Sequence, residues 1–501
     1  MKILSAQNVR EIDAKTIEYN GISSYDLMES AAEAFYYYFI SQYGYLEKKV
    51  ALFCGTGNNG GDGLAVAQLL HKTGYSVTVF VVKISDKFSD DCALNLEKAE
   101  KKNVSITTIK TSEDIPEMDS FDIIIDAIFG TGLSRELTQL AKNVVSGINR
   151  SNKIILSIDV PSGLFLDKHT SFAVEATETV TFEIPKLALY LPENNRFVGK
   201  IATVDIGLNT RAIAEAKTDT YLLTFQNMAS ILKPLRKFAH KGTQGHALII
   251  GGSKGKIGAI SLASKAALKS GCGLVTAYVP QCGMIPLQSY FPEAMVIEDL
   301  KSSHIASISF DIQPEAIAIG MGMGKHAETQ QALQLFLQNN KTRLVADADA
   351  LNILAGNPDW FSLLQPNTIL TPHPGELSRL IGDWDNDFHK IELTRAFAQK
   401  YHVIVVVKGA HTLIIDSEHM YVNSSGTPAL ATAGSGDVLS GMLAGLLAQG
   451  YDPMEAAQLG VYIHGMTATI SADEINPRSF TASDILNNIG SVFDTMDFSE
   501  E

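Results

Sequence analysis

The sequence predicts an α/β fold divided into at least two domains, each built around a parallel sheet. A chain of 501 residues is too long for one ordinary hydrophobic core and suggests two to four domains. Short apolar strands alternate with helical segments in both halves of the chain, which is typical of sheets covered on both faces. Several of these strands run directly into glycine-rich turns, the connection found in doubly wound sheets.

The amino-acid composition indicates which kinds of molecule this chain is expected to bind. Apolar residues make up 46% and charged residues 19% of the chain, as in soluble globular proteins. The formal net charge of −15 argues against binding to nucleic acid, although small anionic ligands need only a local positive potential. The N-terminus becomes polar after a few residues, and no apolar run reaches about 18 residues, so we expect neither a signal peptide nor a membrane span.

The cysteine pattern predicts a reducing compartment. The four cysteines form no CxxC pair and no metal-ligand spacing, and most lie in apolar surroundings. We therefore expect buried, reduced thiols in a cytoplasmic protein. They are Cys54, Cys92, Cys272 and Cys282.

The first half begins as one half of a doubly wound unit. An apolar face predicts a helix over Ser24–Ile40, and a short apolar run predicts a buried strand over Val50–Cys54. The glycine-rich turn Gly55–Gly63 follows, and then a helix from Leu64 to about Lys72. Strand, glycine turn and helix in this order are typical of doubly wound sheets.

The turn contains a GxGxxG pattern, so a dinucleotide-binding dehydrogenase domain is one alternative. The next predicted strand, Val77–Lys83, ends in a lysine where that fingerprint needs an acid for the ribose. Asp62 also places negative charge where the pyrophosphate would lie. The NAD-dependent oxidoreductase interpretation therefore ranks last.

Carboxylates end two further predicted strands, Phe121–Asp126 and Lys153–Asp159. Because the carboxyl ends of parallel strands share one edge, where ligands bind, we expect polar side chains from three turns to converge there. One Asp at a strand end is usually a cap or turn residue, whereas several on successive strands favour a functional edge. The expected set is Asn58, Asn59, Asp62, Asp126, Asp159 and Ser162.

Four motifs of this half resemble the N-terminal epimerase domain of the bifunctional NAD(P)H-hydrate repair enzymes, over roughly Ile3–Leu208. They are NNGGDG, DAIFGTGLSRE, DVPSG and TFEIPKLAL. The resemblance implies a Rossmann-like αβα sandwich that interconverts the R and S forms of the hydrated cofactor, NAD(P)HX. A non-catalytic copy of this domain occurs in an mRNA-decapping scaffold, but the retained motifs argue against that role here.

The same resemblance implies a cation and an acid/base group. K⁺ would be held by Asn59, Asp126 and Ser162, an oxygen-only set that suits a hard cation. Asp159 would act as acid and base at the hydrated ring. The roles of Lys83 and Lys186 stay open.

The resemblance also implies how the cofactor binds in the first half. Its phosphates would lie against the amides of Gly60, Gly61 and the Gly130–Glu136 loop. The implied contacts are Asn58, Asn59, Gly60, Gly61, Asp62, Gly130, Thr131, Gly132, Leu133, Ser134, Arg135, Glu136 and Asp159.

A domain boundary is predicted near Thr218, which gives domains of residues 1–218 and 219–501. The sequence between Leu208 and Leu223 is polar and small, without a strand signal, so we expect a linker there. The strands predicted after it are residues 247–252, Leu274–Val279, Ala316–Gly320, Arg343–Asp347, Thr368–Thr371 and Val403–Gly409.

Two helices of the second half, Val438–Ala448 and Ala456–Ala468, are apolar almost all round and are predicted to lie in the core. His464 lies within the second of them. We expect a buried, hydrogen-bonded histidine there rather than a ligand.

The stretch Gly426–Gly441 passes from a small-residue loop into an apolar helix and carries Asp437 directly after Gly434, Ser435 and Gly436. Glycines and a helix N-terminus together form an anion-binding hole. A carboxylate at that position either caps the helix or takes a proton from a hydroxyl that attacks a phosphoryl group. From this loop alone both roles stay open.

Three segments, Thr371–Glu376, Lys408–Thr412 and the GSGD of Gly434–Asp437, resemble the nucleotide site of the ribokinase-like fold. In those kinases the first segment reads TPNxxE and its Glu helps to hold Mg²⁺, while the Asp after the glycines activates the acceptor hydroxyl. This chain has His373 where the Asn would be. That departure counts against a simple sugar or vitamin kinase.

The departure fits the ADP/ATP-dependent NAD(P)HX dehydratase domain, which the chain resembles over about Thr224–Phe498. The shared motifs are KGTQGHALIIGGSKGKIGA, GMGMG, VADADALN, LTPHPGE, VVKGAHT and NSSGTPALATAGSGDVLSG. The resemblance implies that the hydrated cofactor contacts Ala259, Gly322, His373 and Asp437. It implies Glu376 at Mg²⁺. ADP or ATP would contact Lys408, Gly409, Ala410, His411, Thr412 and Gly436.

The sequence therefore predicts a bifunctional enzyme: an NAD(P)HX epimerase, which is an isomerase, joined to an ADP/ATP-dependent NAD(P)HX dehydratase, which is a lyase. The substrates would be NADHX and NADPHX, and the resemblance implies a homo-oligomer. The alternatives are a ribokinase-like vitamin or sugar kinase fused to a Rossmann-like ligand-binding domain, and a scaffold protein. The choice between ADP and ATP, the preferred substrate and the oligomeric state stay open.

Overall fold

The structure is a computed structural model that describes residues 1–44 and 47–497. The chain forms two compact units; the first comprises Met1–Thr218 together with Asn386–Phe388, and the second comprises the other residues from Asp219 onward. The end of the predicted second domain, residues 498–501, lies outside the described residues, as does Phe498 at the end of the second resemblance. Within the described residues, no helix is both long enough and apolar enough to span a bilayer.

The first unit contains seven strands and seven α-helices among the described residues. In chain order they are α1 (Ala6–Asn20), α2 (Ser24–Tyr43), β1 (Lys49–Cys54), α3 (Asn58–Lys72), β2 (Ser76–Val82), α4 (Asp90–Lys101), β3 (Ser105–Ile109), β4 (Ile123–Ala127), α5 (Gln139–Asn149), β5 (Ile154–Ile158), β6 (Glu178–Phe182), α6 (Asn195–Val198), β7 (Lys200–Val204) and α7 (Thr210–Glu215).

These strands form one parallel sheet in the order β3-β2-β1-β4-β5-β6-β7. Successive side chains of a strand point to opposite faces, and both faces are buried here. Val50 and Leu52 pack into the core that contains Phe35 of α2, whereas Phe53 packs into the core that contains Val144 of α5. The predicted α/β sandwich is therefore confirmed. The strand order reverses between β1 and β4, which is where ligands bind in such sheets.

The second unit contains ten strands and ten α-helices among the described residues. In chain order they are β8 (Thr220–Leu222), α8 (Phe225–Ile231), β9 (His246–Ile250), α9 (Ile257–Lys269), β10 (Leu274–Val279), α10 (Met284–Tyr290), β11 (Met295–Glu298), β12 (Ala316–Ile319), α11 (Ala327–Asn339), β13 (Arg343–Ala346), α12 (Ala348–Gly356), β14 (Ile369–Leu370), α13 (Pro374–Ile381), α14 (Asp387–Tyr401), β15 (Ile404–Val407), β16 (Leu413–Ile415), β17 (Met420–Val422), α15 (Ser435–Ala448), α16 (Pro453–Ile470) and α17 (Ala482–Met496).

This sheet has the order β11-β10-β9-β12-β13-β14-β15-β16-β17-β8, and its order reverses between β9 and β12. It is parallel except at β16, which runs antiparallel to both of its neighbours. The purely parallel sheet predicted for this half is therefore extended by one reversed strand. The predicted linker also needs correction, because Thr220–Leu222 forms β8 and pairs with β17. Three residues are too few for a periodic strand signal.

Each glycine-rich motif begins before a helix and continues into its first turn, so the helix starts earlier than the sequence predicts. Helix α3 starts at Asn58, although the sequence predicts a turn up to Gly63. The glycines are needed there for close packing. A Cβ at Gly60 would lie 2.0 Å from the carbonyl oxygen of Gly55, and one at Gly63 would lie 2.5 Å from the Cβ of Ala127. Helix α15 likewise starts at Ser435, three residues before the predicted start.

Helix α15 packs directly against α9 through glycine. A Cβ at Gly441 would lie 2.0 Å from the carbonyl oxygen of Ala263, and one at Gly445 would lie 2.4 Å from that of Ala267. Val438, Met442 and Leu443 of α15 are fully buried in the same core. The backbones of the two helices therefore touch, and only glycine fits at the contact.

We expect Gly441→Ala to lower the free energy of unfolding by about 1–3 kcal/mol, the usual cost of overpacking a core. The matched control is Gly490→Ala in α17, because a Cβ there would meet nothing within 4 Å. Replacing that helical glycine should raise the stability by about 0.5–1 kcal/mol. Urea unfolding of both variants tests the contact, and equal effects of the two substitutions would contradict it.

Two candidate active sites

The first unit contains a cavity of about 700 Å³ at the point where its strand order reverses. It is lined by the loops that follow β1 and β4, by α1 and by the end of β5. Most of the predicted cofactor contacts meet there although they are distant in sequence. The predicted residues that line it are Asn58, Asn59, Asp62, Gly130, Thr131, Gly132, Leu133, Ser134, Arg135 and Asp159.

Asp159 has the geometry of a functional residue. It follows β5 with a backbone φ of +66°, a left-handed conformation that is costly for a residue other than glycine. The Nζ of Lys186 donates to its Oδ1 at 2.6 Å, and the amide of Phe182 donates to the same oxygen at 3.2 Å. Because these bonds use Oδ1, Oδ2 is the oxygen that a ligand in the cavity can reach.

Lys186 is part of this arrangement, which answers the question that the sequence left open. Its side chain is only 1% exposed, and its Nζ also donates to the hydroxyl of Thr181 and the carbonyl of Phe182. Lys83 is different: it pairs with Asp86 at the surface and does not line the cavity.

Three of the predicted cofactor contacts, Gly60, Gly61 and Glu136, are not among the residues that line the cavity. The amide of Gly61 donates to the carbonyl of Gly57 at 3.1 Å. It is therefore not available to bind a phosphate, in contrast to the prediction from the sequence. The first three amides of α3, those of Asn58, Asn59 and Gly60, have no intrahelical acceptor and form the open end. Glu136 points instead toward Lys142, 3.8 Å away.

Asp126 and Ser162, predicted to bind K⁺, form a buried network. Both residues are fully buried, and the amide and hydroxyl of Ser162 donate to the carboxylate of Asp126. Ser157 donates to it as well, at 2.9 Å. Burial raises the pKa of Asp126 despite these bonds. The third predicted ligand, Asn59, is buried next to Gly130, and its amide nitrogen has no hydrogen-bond partner within the described residues.

Two more carboxyl groups line the cavity, and their pKa values are raised. Burial, followed by the nearby Asp159, raises the pKa of Asp62 well above its ordinary value and that of Asp13 to about 6. Asp62 therefore places less negative charge at the phosphate position than its sequence suggests. Asp13 lies on α1, which the sequence analysis did not single out because a lone Asp in an amphipathic helix carries no signal.

The second candidate site lies at the N-terminus of α15. Gly434 precedes the helix with a φ of +85°, and Asp437 is its third residue. Among the described residues, the amides of Gly436 and Asp437 have no backbone acceptor, as expected at a helix start. Gly436 also lies close to Lys408, whose Nζ would be 3.3 Å from a Cβ at this position. The predicted anion hole is thus flanked by one cation and one carboxyl group.

A charged network holds Lys408 at this hole. Its Nζ donates to Oδ1 of Asp347 at 2.9 Å and lies 3.9 Å from Oε2 of Glu376. Ser440 of α15 donates to the other oxygen of Asp347 at 2.7 Å. Burial tends to lower the pKa of Lys408, but these carboxylates outweigh it and raise the pKa above its ordinary value. The lysine therefore keeps its charge.

Burial raises the pKa of Asp437 to about 7, with the carboxylate of Asp347 as the next cause and Lys408 opposing it. An acid with a pKa near neutrality can both accept and return a proton, as general bases in enzymes do. Asp437 makes no capping hydrogen bond to its own helix among the described contacts. The geometry favours the base over the cap.

His373 and Glu376 form a reciprocal cap at the start of α13. The Nδ1 of His373 accepts from the amides of Gly375 and Glu376, and Oε2 of Glu376 accepts from the amide of His373 at 3.0 Å. His373 thus performs the capping task of an asparagine, while its side chain remains 52% exposed. Glu376 is buried beside Lys408, where an oxygen ligand for Mg²⁺ is expected.

Ala259 and Gly322 lie next to each other where the strand order reverses. A Cβ at Gly322, whose φ is +62°, would lie 3.2 Å from the Cβ of Ala259. The loop that contains Gly322 is held near Asp437, because the amide of Gly324 donates at 2.8 Å to Oδ2 of Asp349, a carboxylate whose charge also raises the pKa of Asp437. Two residues predicted from separate motifs therefore come together.

The Lys408–Thr412 segment forms a tight turn after β15. The hydroxyl of Thr412 donates to the carbonyl of Gly409 and accepts from its amide, while Gly409 and Ala410 are exposed. His411 binds the carbonyl of Asn423 at 3.0 Å, and burial lowers its pKa. These residues sit at the same end of the sheet as Lys408.

His464 is a structural residue, as predicted. Its Nε2 lies 3.0 Å from the carbonyl oxygen of Ser435 and 3.2 Å from its hydroxyl. Burial lowers the pKa of His464 to about 4, so the ring is neutral. The ring therefore helps to hold Ser435, the first residue of α15, in place.

Sequence reasoning missed Asp347, Asp349 and Ser440 as members of the second site. A signal was present for Asp347, because it directly follows β13 just as Asp159 follows β5, whereas Asp349 lies inside α12 and follows no strand. No signal marks Ser440, since a serine in an apolar helix is common.

The predicted free thiols are confirmed for all four cysteines, of which Cys282 is only partly buried.

Comparison with known proteins covers both units. A family model described as NAD(P)H-hydrate dehydratase matches residues 247–490, and one described as YjeF-related protein N-terminus matches residues 24–188. The chain is 33% identical over 508 residues to the bifunctional NAD(P)H-hydrate repair enzyme of Moorella thermoacetica, covering 97% of this chain and 96% of the relative. It is 34% identical over 497 residues to the enzyme of the same name from Coxiella burnetii, covering 96% and 97%.

A solved structure matches the second unit. The ADP/ATP-dependent NAD(P)H-hydrate dehydratase from Bacillus subtilis, co-crystallised with ATP and Mg²⁺, superposes with a TM-score of 0.50 at 27% identity. The match covers 56% of this chain and 100% of that one.

The raised pKa of Asp437 predicts how stability depends on pH. The folded protein holds this proton up to pH about 7, whereas the unfolded chain releases it near the ordinary value of 3.8. The unfolded state therefore binds fewer protons between these values, and stability falls as the pH rises from about 4 to 7. We expect Asp437→Asn to be about 2–4 kcal/mol more stable than the wild type at pH 8 and equal to it near pH 4.

Urea unfolding at several pH values measures this difference. Asp473→Asn is the control, because it removes the charge of an exposed aspartate. A stability gain of Asp437→Asn that does not change with pH would contradict the raised pKa.

Proposed function

The chain belongs to the bifunctional NAD(P)H-hydrate repair enzymes, and on that premise we propose how its two units divide the work. The first unit interconverts the R and S epimers of NAD(P)HX in the cavity at Asp159. The second unit dehydrates S-NAD(P)HX to NAD(P)H at the expense of ADP or ATP. The observation that carries the second assignment is Asp437, with a pKa of about 7, at an open helix N-terminus beside Lys408.

Dehydration needs phosphoryl transfer because hydroxide is a poor leaving group. Asp437 takes the proton of the ring hydroxyl, whose oxygen attacks the terminal phosphorus while the bond to the nucleotide breaks. Phosphate then leaves the ring carbon and a neighbouring carbon loses a proton, which restores the double bond of NAD(P)H. The phosphorylated compound is thus an intermediate and not a product.

The N-terminus of α15 stabilises the transferred group. The amides of Gly436 and Asp437 and the ammonium of Lys408 point positive charge at the place where the phosphoryl oxygens would lie. His464 and Ser440 fix the helix start and the network from behind. Because these donors are in place before the ligand binds, little reorganisation is needed.

Mg²⁺ in the second unit would be held by the buried carboxylate of Glu376, directly or through water. Bound Mg²⁺ neutralises charge on phosphate oxygens. The oxygen donors fit this ion, since the cap hydrogen bond uses Oε2 of Glu376, while Oε1 lies 3.5 Å from Nε2 of His373. Glu376 itself orients His373 through the reciprocal cap.

K⁺ in the first unit would be held by Asn59, Asp126 and Ser162. Turning the amide of Asn59 by 180° exchanges its unpartnered buried nitrogen for an oxygen, which a cation would satisfy. A cation would also compensate the buried carboxylate of Asp126. Its chemistry is that of a fixed positive charge next to the phosphate-binding loop.

Asp159 serves the first unit as acid and base at the hydrated ring. Lys186 is its positioning residue, because a buried ammonium held by three oxygens fixes the position of Oδ1. Asp159 lines the cavity, and the hydrogen bonds to Oδ1 leave its other oxygen for the ligand.

We also propose that the enzyme works in the cytoplasm and as a homo-oligomer. The four free thiols agree with a reducing compartment. The family resemblance is the basis for proposing an oligomer, and sedimentation velocity measures the oligomeric state directly.

The direct test of the proposal is to incubate the protein with NADHX, Mg²⁺ and either nucleotide and to follow NADH absorbance and phosphate release. NADH and inorganic phosphate in equal amounts support a dehydratase. A stable phosphorylated compound would instead indicate a small-molecule kinase.

We expect Asp437→Asn to slow dehydration by about 10²–10⁴-fold, the usual effect of losing a general base. Epimerisation, followed as the exchange of R- and S-NADHX by chromatography, should be unchanged because the first unit is untouched. Wild-type dehydration by this variant would return Asp437 to the role of a helix cap.

We expect Asp159→Ala to stop near half conversion of a mixed R/S pool, because only one epimer is dehydrated and the other is no longer supplied. With pure S-NADHX the same variant should dehydrate at the wild-type rate, which serves as its internal control. Complete conversion of the mixed pool at the wild-type rate would reject the role of Asp159, provided that the epimers do not exchange without enzyme during the assay.

A further inference from the structure

Outside both candidate active sites, two histidines and a glutamate of the second unit come together. His304 lies in the loop after β11, and His326 and Glu328 lie at the start of α11. Each offers one ligand atom, and these atoms lie within 4.8 Å of one another. We propose that they form a binding site for Zn²⁺, separate from the ions expected in the active sites.

The donor set suits this ion. Neutral imidazole and carboxylate are common Zn²⁺ ligands, with bonds of about 2.0–2.2 Å, so ligand atoms of a tetrahedral site lie roughly 3.4 Å apart. Nε2 of His304 is 2.8 Å from Oε2 of Glu328, and the rings of His304 and His326 are 4.0 Å apart at their centroids. Small side-chain rotations therefore suffice to open the site for the ion. Water would complete the coordination.

The backbone that carries His304 is firmly held. The amide of Cys282 donates to the carbonyl of Ser302 at 3.0 Å, and that of Lys254 donates to the carbonyl of Ser303 at 2.8 Å. The loop closes on the buried carboxylate of Asp299, which accepts from the amide of Ala306 at 2.8 Å. A ligand on such a loop loses little freedom when it binds a metal.

The two ligand-bearing segments are also joined to each other. The hydroxyl of Thr329, next to Glu328, donates to the carbonyl of Ile305, next to His304, at 2.6 Å. Both Thr329 and Ile305 are fully buried. The distance between His304 and Glu328 is therefore set by the core and not by their own contact.

Outer contacts orient the ligand atoms. Nδ1 of His304 lies 3.1 Å from the hydroxyl of Ser303, whose oxygen can accept a hydrogen bond from Nδ1–H and so leave Nε2 for the metal. Nδ1 of His326 accepts only a long bond of 3.3 Å, from the amide of Glu328. Binding through Nε2 of His326 would move its proton to Nδ1 at the expense of that long bond.

Lys301 is the cation that opposes a metal here. Its Nζ lies 3.7 Å from Oε1 of Glu328, the oxygen that does not contact His304, and its side chain is 53% exposed. The ammonium group of Lys301 can therefore stay paired with Oε1 or move into solvent. In both cases Oε2 of Glu328 remains available to the metal.

The test is a Zn²⁺ titration of the untagged full-length chain, in competition with a chromophoric chelator and with Mg²⁺ and K⁺ in excess. We expect one Zn²⁺ per chain, and an affinity that falls by at least about 100-fold in His304→Ala and in His326→Ala, because even outer partners of a metal are worth 10–100-fold. Glu328→Gln should weaken binding while keeping the shape of the side chain. Bound Co²⁺ should give visible absorption in the wild type alone.

His169→Ala is the matched control. His169 forms a single histidine–carboxylate pair with Glu193 at 3.2 Å and has no place in the proposed site. Its removal should leave the Zn²⁺ affinity unchanged. Wild-type affinity in the His304→Ala, His326→Ala double variant, or no stoichiometric binding by the wild type, would overturn the proposal. Neither result would affect the assignment of the two active sites, because binding is measured without turnover.

Discussion

The direct backbone contact between α9 and α15 is the constraint on which the second active site depends. At Gly441 and Gly445 no side chain separates the two helices. This contact fixes how closely α15 approaches α9, and it helps to fix where the N-terminal amides of α15 lie relative to Lys408. A helix dipole and its open amides act only over the first turn. A small shift of α15 would therefore change both the burial of Asp437 and its distance from Asp347, the two main causes of its raised pKa.

Both units solve the same physical problem in a similar way. Each places a carboxylate at the end of a parallel strand and pairs it with a lysine, which is buried in the first unit and partly buried in the second. Lys186 holds Asp159 in the first unit, and Lys408 holds Asp347 in the second. A buried carboxylate without a partner would be protonated or would destabilise the fold. In the first unit the pairing occupies Oδ1 of Asp159 and leaves its other oxygen for a ligand, whereas in the second unit the partner of Lys408 is Asp347 and Asp437 is left for a ligand. Anionic ligands can then bind in a chain whose net charge is −15.

Much of the architecture could be predicted because the local signals were strong. Continuous apolar strands such as Val50–Cys54 and carboxylates such as Asp159 at strand ends identified the sheets and their ligand-binding edges. Weak local signals led to the errors. The glycines from Gly60 to Gly63 suggested a turn, but their cause is close packing against Gly55 and Ala127 inside a helix. Short strands such as Thr220–Leu222 are defined by their partners, so no single segment predicts them.

By itself, the sequence determined that the chain has α/β architecture, and it predicted two glycine-rich anion sites with one reactive carboxylate for each. Those properties depend on residue types and local spacing. Only the tertiary structure decided how these groups act. Burial next to Asp347 raises the pKa of Asp437, and Lys186 rather than Lys83 pairs with Asp159. The amide of Gly61 is bonded to the carbonyl of Gly57 and so is not available at the predicted phosphate site. Each of these outcomes depends on distances between segments that are far apart in the chain, and such distances are set by packing.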